Sequence, residues 1–466
     1  MSRRCTWGIG VLVGLAITAL LACNSTYNAS LDGLVVVPTF GSAVMEAFSF
    51  NLTNGHVSTV NTAPAIVGQP TAMVLDPSGS YAYVTILPNA QVFQTISLTS
   101  IATYSIGPNG GLSTIGTPLT MLTICPTGAA PPTWTSCPTG SAGAGNLSPV
   151  ALTMDSAGKF LFVADQQTSD SSGNLVPGSI SVFSIGSGGA LTEVAGSPFT
   201  VQTLLAGPVT TPNLVGLAIT PTKYPVLNTQ AVQNAACALW QPLPASTPEY
   251  LYVTDANNDV VWGFTVQSSG ALVPISNPLS GVVLSFPAQS VTTGVAVDPC
   301  NRFVFVTNTQ SNNVNAYAIC NLTSPGRPQV CNSNQYPEGS LVQVPSSPFA
   351  LGGGGAGPNG PTVLEVDPLA NFLYVVDHLS NQLSCFRISG DTGSLAPLST
   401  AAVATGINPT AIAIRADDNW VFVVNNDVLN GTGSVSQYEL SPATGVLSPF
   451  GSGISTDNYP TAVVVK

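Results

Sequence analysis

The chain has 466 residues, of which 44% are hydrophobic and only 6% charged, with a formal net charge of −12. So apolar a chain is not disordered, and so acidic a one lacks the clustered Lys and Arg that nucleic acid or a phosphorylated ligand requires. Its 45 Gly and 38 Pro exclude long helices in favour of strands and turns.

The N-terminus reads as an address. Arg3 and Arg4 precede an apolar run from about Trp7 to Leu21, which ends in Leu20-Leu21-Ala22-Cys23. This is the layout of a secretory signal, and the run is short for a permanent membrane span. The ending resembles the bacterial lipobox. Residues 1–22 are therefore expected to be a lipoprotein signal peptide, Cys23 the lipidated residue, and 23–32 a short tether. Such an anchor carries more than one acyl chain, enough for stable membrane attachment. Asn24 after the Cys favours the outer membrane or cell surface of the envelope.

An exported chain meets an oxidising compartment. Cys125 and Cys137 bracket one Pro/Thr-rich loop, and Cys320 and Cys331 bracket another. Each pair is expected to form a local disulfide. Cys237 with Cys300 is a weaker third pair, which leaves Cys385 as a buried thiol. The rival zinc reading lacks CxxC spacing and has only His56 and His378 to draw on.

From residue 33 onward the sequence repeats itself. Each unit begins with a Pro or small residue and a short apolar strand, as in Pro70-Thr71-Ala72-Met73-Val74-Leu75-Asp76-Pro77. The pattern returns from Pro149 to Asp155, around Leu217 to Pro221, around Val295 to Pro299, from Pro361 to Pro368 and from Pro409 to Asp417. A second strand follows, as in Phe162-Val163-Ala164-Asp165, Tyr252-Val253-Thr254-Asp255 and Tyr374-Val375-Val376-Asp377. Third and fourth strands come after it. A degenerate copy opens at Leu34-Val35-Val36-Val37 without its leading strand, and Pro460-Thr461-Ala462-Val463-Val464-Val465 supplies one from the other end of the chain. The spacing predicts an all-β, seven-bladed propeller over 33–466, with four-stranded blades and a C-terminal strand completing the first blade. Long insertions interrupt it at about 117–147, 200–213, 223–248 and 321–340; the third, with Trp240, could cover a channel mouth.

These units resemble the YVTN-type repeat and the seven-bladed lactonase-like propellers. The resemblance implies a propeller fold and, for enzymes of the lactonase group, opening of sugar lactones near the central channel. The chain departs from a phosphosugar lactonase in two ways. Thr71, Val150, Thr362 and Thr410 stand where such enzymes tend to carry His, and cations are scarce.

Asp165, Asp255, Asn308, Asp377, His378 and Asn425 fall where second strands end, on the face expected to hold the binding mouth. Such a ring could bind a polyol, or calcium as the one conceivable cofactor. The same side chains also suit strand-end capping. His378 is the candidate general base, and His56 reads as a surface turn residue. There is no GxSxG elbow and no phosphate loop. The sequence alone favours a cell-envelope binding or interaction propeller with a protein or carbohydrate ligand, no nucleic acid, and membrane contact through lipid. The alternative is an extracytoplasmic hydrolase opening a neutral sugar lactone.

Overall fold

The computed structural model describes residues 33–51, 54–60, 64–66, 68–88, 99–127, 133–137, 147–170, 173–201, 210–221, 248–277, 280, 283–320, 336–351, 359–398 and 402–466. Cys23, Cys331, the segment 1–32 and most of the insertions at 223–248 and 321–340 lie outside the described residues. Apart from a 3-10 turn at Ser187–Gly189, these residues form strands, turns and irregular connections. Among them no helix is long and apolar enough to cross a membrane.

The strands build seven antiparallel blades, as the repeat predicts. Each blade runs outward from an inner strand through a second, a third and a short fourth strand. In six blades a further short piece, such as Leu119–Thr120, pairs on the third strand beyond the fourth. Two small hairpins, Thr123–Thr127 with Thr133–Cys137 and Thr168–Ser169 with Leu175–Val176, stand outside the blades.

The inner strands are Gln69–Leu75, Pro149–Met154, Leu214–Ile219, Thr292–Val297, Pro361–Val366, Pro409–Ile414 and Val464–Val465. Each neighbours the next around a closed circle, in which Val464–Val465 sits between Pro409–Ile414 and Gln69–Leu75. Blades are numbered from the N-terminus, so blade 1 holds Gly33–Thr39 and borrows Val464–Val465.

Strand alternation explains why the blades stack. Leu34 and Val36 face Met73, Ala82 and Val84 of blade 2, whereas Val35 and Val37 face Phe422 and Val424 of blade 7. A strand apolar on both faces must be covered on both, and only a ring does this for every blade. Seven apolar clusters result, each joining two adjacent blades.

The seam is closed by main-chain bonds over its whole length. Val35 is paired with Val465 and Val36 with Val464. Leu34 N donates to Lys466 O at 3.2 Å and Lys466 N to Leu34 O at 2.8 Å. Thr461 N donates to Pro38 O at 3.1 Å and Phe40 N to Tyr459 O at 3.0 Å.

In five blades the turn after the inner strand is clamped by one side chain. Asp76 Oδ1 accepts from the amides of Ser80 and Tyr81, at 2.7 and 2.6 Å. Asp155, Asp298 and Asp367 repeat this on Lys159–Phe160, Arg302–Phe303 and Asn371–Phe372. In blade 4 Thr220 does so through Oγ1, 2.8 Å from Tyr250 N. Arg302 then joins two blades. Its Nε donates to Asp298 Oδ2 at 2.7 Å, while Nη1 and Nη2 reach the carbonyls of Gly390 and Ala370.

Cys125, Cys300 and Cys320 are disulfide-bonded, to partners outside the described side chains. Cys385 is a free, buried thiol on the third strand of blade 6.

Deleting residues 459–466 strips the Gly33–Thr39 strand of its inner neighbour and opens the ring. The truncated protein is expected to lose the cooperative thermal transition of the full chain; an unchanged calorimetric midpoint would contradict closure by this strand.

Candidate site in the central channel

Aligned by structure, the inner strands differ tellingly. Their second position carries Thr71, Val150, Val215, Thr293, Thr362, Thr410 and Thr461. In six blades the pairing register skips one residue here, a β-bulge between Pro70 and Ala72, Pro149 and Ala151, Leu214 and Gly216, Thr292 and Val295, Pro361 and Val363, and Pro409 and Ala411. A bulge bends the strand and re-aims a side chain. Several threonines at and near it tie neighbouring blades together. Thr254 Oγ1 donates to Thr293 O at 2.6 Å, and Thr307 Oγ1 to Thr362 O at 3.0 Å. Gly216 is required at this approach, because a Cβ there would lie 2.5 Å from Thr293 O.

The fifth position carries Val74, Thr153, Ala218, Ala296, Glu365, Ala413 and Val464. Six of these residues, Thr153, Ala218, Ala296, Glu365, Ala413 and Val464, line a central cavity of about 470 Å³ together with flanking inner-strand residues of all seven blades. Among the described residues, Glu365 is the only ionisable one that lines it, and no Lys, Arg or His does. Because each inner strand is the last in its sheet, the main-chain groups on its free edge point away from the sheet, toward the axis. The cavity thus offers neutral main-chain hydrogen bonding and one carboxyl.

Glu365 is partly accessible, but its accessible surface is channel surface. Burial pushes its carboxyl up to about 8, against a smaller lowering by a main-chain hydrogen bond from Ile414. A carboxyl held there changes protonation state near neutral pH.

The ring expected at the second-strand ends is present but engaged internally. Asp165, Asp255, Asn308, Asp377 and Asn425 are all buried. Asp255 accepts from the amide of Asn213, from Asn258 Nδ2 at 2.7 Å and from Trp262 Nε1 at 3.1 Å. Asn308 Nδ2 donates to Asn313 and Asn315, both at 2.7 Å, and Asn308 Oδ1 accepts from Gln289 N. Asn425 Oδ1 accepts from Gly406 N at 3.0 Å, and its Nδ2 donates to Ser436 Oγ at 2.9 Å. Asp165 accepts from Ser181 Oγ at 2.8 Å and Asp377 from Ser384 Oγ at 2.6 Å. Their other oxygens are buried without a partner among the described residues. Burial raises Asp165 to about 8 and Asp377 to about 7.

His378 N and Nδ1 both lie against Gly360 O, at 3.1 and 2.6 Å. A carbonyl only accepts, so Nδ1 carries the proton. The imidazole lies in the turn between the second and third strands of blade 6, held on Gly360 O just before that blade's inner strand, and does not line the cavity. Arg302 is paired with Asp298 and Arg415 with Asp417, and Arg387 lies 4.7 Å over the Phe372 ring. Among the described residues, His378, an Arg and a carboxylate therefore do not converge in the channel. Among the described residues no group of three or more His, Cys, Asp or Glu side chains is arranged to hold a metal.

Glu365 is the residue that sequence reasoning passed over. Its signal was a lone acid at a position that is otherwise Val, Thr or Ala in the aligned repeats.

Residues 327–465 match the family model described as "Lactonase, 7-bladed beta-propeller". No curated protein sequence matches the chain. Among solved structures, the periplasmic gluconolactonase of Pseudomonas aeruginosa is similar, at 17% identity over 93% of this chain and 98% of that one, with a TM-score of 0.62. A candidate 6-phosphogluconolactonase of Bacteroides fragilis is similar at 18% identity over 93% and 98%, with a TM-score of 0.60. Its Bacteroides uniformis counterpart gives 17% over 93% and 99%, also with a TM-score of 0.60. At such identities the likeness is one of fold: the class of this protein is the seven-bladed β-propeller, and its C-terminal third carries the lactonase-type sequence pattern.

Two outcomes follow. Carboxyls whose folded values lie above their unfolded ones hold protons that the unfolded chain releases, so stability falls as pH rises from about 4 to about 8. The melting midpoint is expected to be higher at pH 5 than at pH 8, with a flatter slope in Asp165→Asn; a flat or opposite dependence of the wild type would contradict this. Asp255→Ala leaves the Trp262 and Asn213 donors unpaired, and denaturant unfolding should show a loss of about 3 kcal/mol. A loss below about 0.5 kcal/mol, the usual range for surface changes, would mean that Asp255 is not structural.

Proposed function

We propose that the protein is a lactonase-like hydrolase that opens a neutral lactone outside the cytoplasm, in preference to the non-catalytic binding propeller that the sequence alone favours. The match of residues 327–465 to the lactonase family carries this reading. The central cavity supports the neutral substrate: among the described residues it has no cationic lining residue and one carboxyl, which burial pushes up to about 8. A phosphorylated lactone would need converging Arg or Lys. The main-chain edges around the axis suit a ligand rich in hydroxyls, such as a sugar lactone.

Export belongs to the same reading. The signal-like segment 1–22 and the Cys23 lipobox support an envelope lipoprotein tethered through 23–32, with the outer membrane or cell surface as its site. Cys125–Cys137 and Cys320–Cys331 would then be disulfides made in that compartment. The binding-scaffold reading keeps one observation in its favour: His378 is held on Gly360 O and, among the described residues, no His, Arg and carboxylate converge in the channel.

Proton release during lactone hydrolysis separates the two. The purified mature chain is expected to hydrolyse glucono-1,5-lactone faster than the spontaneous reaction and to gain nothing from a 6-phosphate. Thermal stabilisation by sugars or their lactones without turnover would establish the scaffold instead.

A further inference from the structure

We propose that Glu365 is the acid–base residue of the channel, taking the proton from the attacking water and returning it to the ring oxygen as the lactone opens. The inference rests on the hydrolase reading above and names the group that performs it.

Three observations point to Glu365. First, the ring is built from seven near-equivalent strands, and at the fifth position the other six hold Val74, Thr153, Ala218, Ala296, Ala413 and Val464. Fold alone therefore asks for a small or branched neutral residue. Second, Glu365 has no cationic partner among the described residues. Its hydrogen bond comes from the Ile414 main chain, whereas Arg302 is paired with Asp298 and Arg415 with Asp417. A desolvated carboxyl without a counter-charge opposes folding, so structure gives no reason to keep it. Third, its carboxyl reaches a cavity of about 470 Å³, large enough for a small lactone and water.

The chemistry balances without a further reactant. Ionised Glu365 accepts a proton from a channel water as the water oxygen bonds to the lactone carbonyl carbon. The tetrahedral adduct collapses with cleavage of the ring C–O bond. The alkoxide leaving group takes the proton back from Glu365. Lactone and water become one hydroxy acid, and the carboxylate is regenerated. An acid–base group is most effective when it titrates near the working pH, and desolvation has moved this one into that range.

The test uses the whole mature chain, wild type and Glu365→Gln, with glucono-1,5-lactone as substrate between pH 5 and 9. Wild-type kcat should rise through an inflection near 8. Glu365→Gln should lose kcat by about 10²-fold or more, the usual scale for removing an acid–base group. Its KM should change little, and its melting midpoint at pH 8 should equal or exceed that of the wild type. A purely structural Glu365 would instead lower the midpoint on substitution. Wild-type activity with Glu365→Gln retaining kcat within about twofold, far below the scale of acid–base loss, would overturn the assignment and leave the hydrolase reading standing. A wild type inactive on neutral lactones would overturn both.

Discussion

A strand that is apolar on both faces and unpaired along one edge cannot exist alone, and this chain contains seven blades that share the problem. Their faces are solved by stacking: Leu34 and Val36 turn one way, Val35 and Val37 the other, and each side finds the next blade. The edges are solved differently. The inner edge of each blade is left unpaired, but it faces the axis, where no second sheet can reach it. Closure through Val464 and Val465 thus does two things at once. It removes the last uncovered face, and it turns seven liabilities into a channel walled by main-chain donors and acceptors.

Within that frame the repeated sequence divides its work by position. The seventh residue of the inner strand clamps a turn, as Asp76, Asp155, Asp298 and Asp367 show. The second lies at a bulge near the opposite end of the strand. The fourth and sixth contribute to the inter-blade apolar clusters, as Leu364 and Val366 do. The fifth position looks onto the axis in six blades, although Ala413, Ala296, Val74 and Val464 also touch the inter-blade clusters. It is there that the chain breaks its own symmetry, with Glu365. A residue that raises the cost of folding and departs from six equivalents is the kind that function retains.

The fold was legible because repetition multiplies a weak local signal. No single Tyr-Val-x-Asp segment proves a blade, but copies at regular spacing, with a fragment at each end, leave few other arrangements. The site was less legible. Asp165, Asp255, Asn308, Asp377 and Asn425 recur and are polar, which drew attention to the second-strand ends; their recurrence reflects the geometry of strand ends, where buried amides and hydroxyls need partners in every blade. Glu365 does not recur, so the repeat that revealed the fold concealed it. Its significance depends on which side of the inner strand faces the axis, and a bulge near the strand's start shifts that phase by one residue. Counting along the sequence from Pro361 could not recover the phase.

In the proposed hydrolase the axis, and not the rim, is the working part of the molecule. The most direct measurement is a crystal structure of the mature chain with a bound hydroxy acid such as gluconate. The account places the ligand between the inner strands, within hydrogen-bonding distance of the Glu365 carboxyl and of main-chain groups from several blades. A ligand seated at the second-strand ends around Asp255 and Asn308, with the axial cavity holding only water, would contradict it.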